Sequence, residues 1–290
     1  MWQGRILSTK AIQLLSANHI NVIFLDSFGN LVGCIHEVMS SFTGISRRMG
    51  QYDTFRDGMK VLQLQKRLVL SKLESQLDFV DGTTKEKISQ YLERIPHVKS
   101  YKEIIGIEAK AGIVFRQYYT SLFDEKYNYH SRKNAGRRNK PRYATNVINA
   151  LLNYGYSVLY SEVAKQIHAQ GLDPYYGFYH KSHESEQALV YDLAEPYRVM
   201  IESSVLEFSN TEDRWNRISK CFKLDEKNHY QILLDDITVK RFLETLSRKF
   251  NEKTEYVSRF GNRGKKDGIA NTRMSTVMKL QIEEFAITLE

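Results

Sequence analysis

The chain has 290 residues, 42% of them hydrophobic, with 42 Lys and Arg against 34 Asp and Glu, a formal net charge of +8 and a pI of about 9.2. That length can bury a sizeable core, and the cationic excess favours polyanionic partners, nucleic acid first among them. Two distant cysteines, Cys34 and Cys221, argue against a disulfide scaffold or a zinc ribbon, and the absence of an export signal or a long uncharged apolar run leads us to expect a reducing, cytoplasmic setting with no membrane segment.

Ser8 is placed to cap a short helix through Ala17, with Ala11, Ile12, Leu14 and Leu15 as its apolar cluster. Residues 21–25 and 31–36 are rich in β-formers and flank a turn holding Gly29, a hairpin signature. From Tyr52 the texture changes: Phe55, Met59, Leu62, Leu70, Leu73 and Leu77 recur at helical spacing until Gly82. Helical patterns follow at 84–94, 100–119, 144–170, 189–208 and 239–251, with a weaker one over 274–285. Pro96, Pro141 and Pro174 fall at joints, and Pro196 sits early in a helical pattern, where it is tolerated. The expectation is an α+β chain: a small β-rich domain with a partial sheet over residues 1–50, then a larger all-α domain over 51–290.

Residues 131–142 (SRKNAGRRNKPR) hold Arg132, Lys133, Arg137, Arg138, Lys140 and Arg142 around Gly136 and Pro141, with almost nothing apolar to bury. Such a loop is either solvated or bound to phosphate, and so is the second basic stretch at 259–266. Directly after the first loop, Leu152, Tyr156, Leu159 and Val163 form one buried stripe of a helix, with Glu162 beside it. Gly171 is placed as a C-cap glycine, and Leu172-Asp173-Pro174 turns the chain into an aromatic segment ending at His180. Asp192 and Glu195 then stand three apart, on one side of a helix. Each of these residues alone has an ordinary structural explanation. Together, carboxylates and one imidazole suit a hard divalent cation, Mg2+ or Mn2+, of the kind that supports phosphodiester chemistry.

Four blocks carry a closer likeness: RRNKPRYATNVINALLNYGYSVLYSE from Arg137 to Glu162, GLDPYYGFYH from Gly171 to His180, ALVYDLAEPYR from Ala188 to Arg198, and GIEAKAGIVFRQYY from Gly106 to Tyr119. In order and spacing they resemble the Cas1 family, and the N-terminal segment from Ser8 to Gly33 is similar too. The resemblance implies that Glu162, His180 and Asp192 are metal ligands, that Glu195 assists them, and that Glu202 is a further acid. It implies a homodimer acting with Cas2 to insert DNA fragments into a CRISPR array, a terminal 3′-hydroxyl attacking a phosphodiester. On this reading the basic side chains of the 131–142 loop, together with Arg198, contact the DNA backbone. Two departures stand out: Val199 follows Arg198 where the family usually has proline, and fewer strands precede the segment from Gly4 to Ile12, so either the β domain is shortened or the start of the chain is assigned late. Two other readings remain open: hydrolysis of branched DNA by the same site, and nucleic-acid binding without catalysis.

Overall fold

The computed structural model describes residues 7–18, 22–25, 31–35, 42–130, 144, 146–181, 186–210, 223–225, 229–260 and 271–290. The expected phosphate contacts Arg132, Lys133, Arg137, Arg138, Lys140 and Arg142 lie outside the described residues. Helix α1 (Thr9–Ala17) begins at the expected cap, where the Ser8 hydroxyl accepts from Ala11 N. Strands β1 (Val22–Leu25) and β2 (Leu31–Ile35) pair antiparallel, Val22 opposite Ile35. Among the described residues the N-terminal region holds this one two-stranded ribbon and α1, so the small β-rich domain expected over residues 1–50 is not confirmed.

Helix α2 (Phe42–Arg56) begins before residue 50 and runs through it. The periodic segment beyond Tyr52 is therefore two helices, because Asp57 ends one and caps the next: its carboxylate accepts from Met59 N and Lys60 N at the start of α3 (Gly58–Leu77). Phe55 and Met59, placed on the apolar stripe by spacing, flank this break and remain exposed. Helix α4 (Gly82–Arg94) leads through a 3-10 turn (Ile95–His97) to α5 (Tyr101–Ser121), whose start is a capping box. Ser100 Oγ accepts from Glu103 N, while the Glu103 carboxylate accepts from Lys99 N and Ser100 Oγ.

The core is organised around α6 (Val147–Ala169). Leu152, Tyr156, Leu159 and Val163 are all buried, as their spacing requires, and each aliphatic member contributes about 1.5–3 kcal/mol by leaving water. Gly155 lets α8 approach: a Cβ there would stand 2.5 Å from Ile201 Cγ2. Helix α7 (Ala188–Ala194), a 3-10 turn (Glu195–Tyr197) carrying Pro196, and α8 (Arg198–Ser209) occupy the single helical pattern expected over 189–208. The hairpin of β3 (Lys223–Asp225) and β4 (His229–Leu233) had no counterpart in the sequence pattern. Helix α9 (Asp236–Asn251), the short β5 (Lys253–Thr254) and β6 (Thr272–Arg273), and α10 (Met274–Ile287) close the chain, with Phe285 and Ile282 of α10 fully buried. Among the described residues no helix is long and apolar enough to cross a membrane.

Candidate active site

The site is assembled around the turn that follows α6. Gly171 ends that helix at φ +76°, with Gly171 N donating to His168 O and Leu172 N to Ile167 O, the closure expected of a C-cap glycine. A side chain there would also collide with α2, since its Cβ would lie 2.3 Å from Gly44 Cα. Gln51 of α2, fully buried, then holds the turn: its Nε2 donates to Asp173 O and Tyr176 O, and its Oε1 accepts from Asp173 N. Gln65 Nε2 of α3 donates to Phe178 O at 2.7 Å, and the Tyr101 hydroxyl of α5 donates to Tyr179 O at 2.8 Å. Three helices therefore fix the backbone that delivers His180.

Asp192 completes that backbone from α7. Its Oδ2 accepts from Phe178 N at 2.6 Å and Tyr179 N at 2.9 Å, and its Oδ1 accepts from His180 N at 2.8 Å. His180 Nδ1 lies 2.8 Å from the same Oδ1. A ring nitrogen against a fully buried carboxylate carries its proton as a donor, so Nε2 is the nitrogen left available as a ligand. Asp192 is saturated: both oxygens are engaged by the loop it closes.

One turn on, Glu195 has a different neighbourhood. Its Oε1 accepts from Arg198 Nη1 at 2.6 Å and lies 4.0 Å from His180 Nε2. Its buried Oε2 forms an ion pair with Lys72 Nζ of α3 at 2.8 Å. Lys72 also pairs with Glu108 of α5. Carboxylates from α5 and the 3-10 turn thus converge on a single ammonium. Burial alone would raise the pKa of Glu195, but Arg198 and Lys72 outweigh it and hold the carboxyl far below the usual range. Burial likewise opposes charge on Lys72 and His180, and neighbouring carboxylates raise both above their ordinary values. Tyr179 packs edge-on to His180 and Tyr101, and burial together with the charges of Glu108 and Glu195 drives its phenol well above the usual range.

The sequence placed Glu162, His180, Asp192 and Glu195 together. His180, Asp192 and Glu195 do meet, whereas Glu162 is about one-third exposed and pairs with Lys165 on its own helix at 3.6 Å. The acid that shares Lys72 with Glu195 is Glu108. Its signal was the GIEAKAG block, in which it is the only acid. Arg198, expected to hold DNA phosphate, pairs with Glu195 and stacks on Tyr156 at 4.5 Å from its ring centre. Glu202, the further acid, accepts from the Tyr156 hydroxyl at 2.7 Å.

The donor chemistry fits a hard divalent cation: two carboxylates, one of them with a buried oxygen that faces an ammonium, and one imidazole. Two ligands of one ion at about 2.1 Å each stand no more than about 4.2 Å apart, a limit that the His180 to Glu195 separation of 4.0 Å meets. Among the described residues no three such donors already close on one point, and Lys72 Nζ lies between Glu108 and Glu195.

The model of the family described as CRISPR associated protein Cas1 matches residues 3–248. A protein from Archaeoglobus fulgidus named CRISPR-associated endonuclease Cas1 1 is 28% identical over 276 residues, 87% of this chain and 77% of that protein. A protein of the same name from Methanospirillum hungatei is 26% identical over 215 residues, 70% of this chain and 61% of that protein. Among solved structures, a casposase bound to an integration product superposes with a TM-score of 0.79 at 26% identity, over 98% of this chain and 75% of that one. With a family match over residues 3–248, most of its length, the chain belongs to the Cas1 family.

Proposed function

We propose that this protein is a divalent-metal-dependent DNA integrase and endonuclease of CRISPR adaptation, with Glu108, His180 and Glu195 as the ligand set and Asp192 as the residue that aims His180. The observation that carries this reading is the convergence of Glu108 and Glu195 on one cationic group beside His180 Nε2. Mg2+ or Mn2+ bound there supplies Lewis-acid stabilisation for the charge that builds on a reacting phosphate. The protein's own contribution is placement. Asp192 fixes the His180 ring and proton, Arg198 holds Glu195 in position, and Tyr179 and Tyr101 wall the site so that charges act across little water.

The substrate class is DNA, the attacking group the 3′-hydroxyl of a DNA fragment, and the partners a second copy of the chain and Cas2. The basic loop over 131–142 supplies backbone contacts. The likeness to a casposase bound to an integration product favours joining over hydrolysis. A supercoiled target offered with a free-ended duplex and Mn2+ separates the two: joined products carry the proposal, while nicks alone, or products that persist in EDTA, overturn its integrase half and its metal half respectively.

A further inference from the structure

On the side of α5 turned away from Glu108, a cavity of about 410 Å3 opens between that helix and the turn after α4. Arg94, His97 and Lys110 line it together with Glu103, Gly106 and Ile107. Arg94 comes from the last turn of α4, His97 from the 3-10 turn, and Lys110 from the middle of α5, so three separate segments bring nitrogen donors to one space. All three side chains are exposed, and among the described residues none is engaged by a carboxylate. The one acid in the lining, Glu103, accepts from Lys99 N and Ser100 Oγ in the capping box and keeps its charge there, so the Arg94 and Lys110 cations outnumber it two to one. Unpaired like charges gathered at a cavity repel one another, and an anion relieves that repulsion.

Gly106 supplies a second, independent observation. A glycine inside a helix costs about 1 kcal/mol relative to alanine, and packing does not account for this one: a Cβ built there meets nothing within 4 Å. Its effect is to leave the floor of the cavity as bare helix backbone, with Ile107 as an apolar wall. The volume exceeds what one phosphate needs and falls in the range of pockets that hold a small ligand. Glu108 lies two residues from both Gly106 and Lys110, about 200° around the helix from each, so the cavity is separate from the metal site.

We propose that Arg94, His97 and Lys110 form a phosphate-binding pocket on the outer face of α5, which takes either a phosphodiester of a bound DNA strand or the phosphate of a free nucleotide. Arg94 provides a fork of planar donors, Lys110 a mobile point charge, and His97 a ring N–H in either protonation state. The pocket is an added contact and takes no part in bond-making.

The test compares the wild type with the R94A/K110A double variant and with Gly106→Ala, all surface changes whose folding is checked by thermal unfolding. Short duplex DNA is titrated across a series of salt concentrations, and inorganic phosphate and a mononucleotide are titrated while the His97 ring resonances are followed by NMR. If the strand backbone is the ligand, duplex affinity falls roughly tenfold in the double variant, and the dependence of log K on log salt becomes shallower by about two. If a free nucleotide is the ligand, duplex binding is unchanged, but the His97 resonances shift saturably with phosphate or mononucleotide in the wild type and not in the variants. Unchanged duplex binding together with His97 resonances indifferent to both phosphate probes overturns the proposal. The phosphate arm reads binding alone, so it stands whether or not the metal site joins DNA.

Discussion

Asp192 and Glu195 are acids three residues apart, both almost wholly buried and both within reach of the His180 ring, yet they do different work. Asp192 is surrounded by backbone: three N–H groups and a ring nitrogen take up its oxygens, and its charge serves to close the turn from Phe178 to His180. Glu195 is surrounded by cations that are themselves side chains, Arg198 on one oxygen and Lys72 on the other. A carboxylate saturated by backbone donors cannot take on an ion without losing a loop. A carboxylate held by an exchangeable ammonium can.

The largest expected effect follows from that contrast. Glu195→Gln and Glu108→Gln each remove a charge from the point where the two carboxylates converge, and each lowers metal-dependent strand joining by at least about a hundredfold, roughly 3 kcal/mol of transition-state stabilisation. Duplex binding, read separately by fluorescence anisotropy, stays within about threefold of wild type because the phosphate contacts lie elsewhere. Full activity in Glu108→Gln would break the comparison, since α5 would then supply no ligand.

Asp192→Asn gives a smaller loss of activity and a larger loss of stability. The asparagine NH2 presents donors to N–H groups that need an acceptor, and leaving buried donors unsatisfied costs about 1–3 kcal/mol. Activity falls about 10- to 100-fold through a misoriented His180. Urea unfolding of both variants sharpens the contrast: the midpoint moves down further for Asp192→Asn than for Glu195→Gln. The reverse order would show that Glu195 is the structural acid.

Arg198→Lys tests the Glu195 side more gently. Lysine keeps the charge and loses both the Nη1 hydrogen bond to Oε1 and the planar stacking on Tyr156. Joining drops several-fold, with the apparent metal requirement shifted to higher Mn2+, as measured by activity across a metal titration. An unchanged metal requirement would remove Arg198 from any role in holding Glu195.

Much of this site was legible in the sequence because it is local. Gly171 as a helix stop, the i, i+3 spacing of Asp192 and Glu195, and the turn leading to His180 all follow from rules that act within a few residues. What the sequence left hidden depends on packing between distant helices. Glu108 lies more than seventy residues before His180, and only the packing of α3 against α5 and the 3-10 turn brings Lys72 and Glu108 to Glu195. Glu162 was singled out because the family resemblance implied a ligand at that position; its place beside a buried stripe gave little support, since a helix margin faces outward as readily as inward. The break at Asp57 was hidden for a different reason: the apolar period continues across it, and only the N-cap chemistry marks it.

The smallest expected effect is therefore at Glu162. Its partner Lys165 is an exposed neighbour on the same helix, an i, i+3 pair worth about 0.2–0.5 kcal/mol. Glu162→Gln should leave joining within about threefold of wild type and the unfolding midpoint nearly unchanged. The two glutamates were indistinguishable as residue types, and one differs from the other only in what its helix packs against. A hundredfold loss in Glu162→Gln beside an active Glu108→Gln would mean that α6, rather than α5, supplies the third ligand, and would reassign the convergence on Lys72 to folding alone.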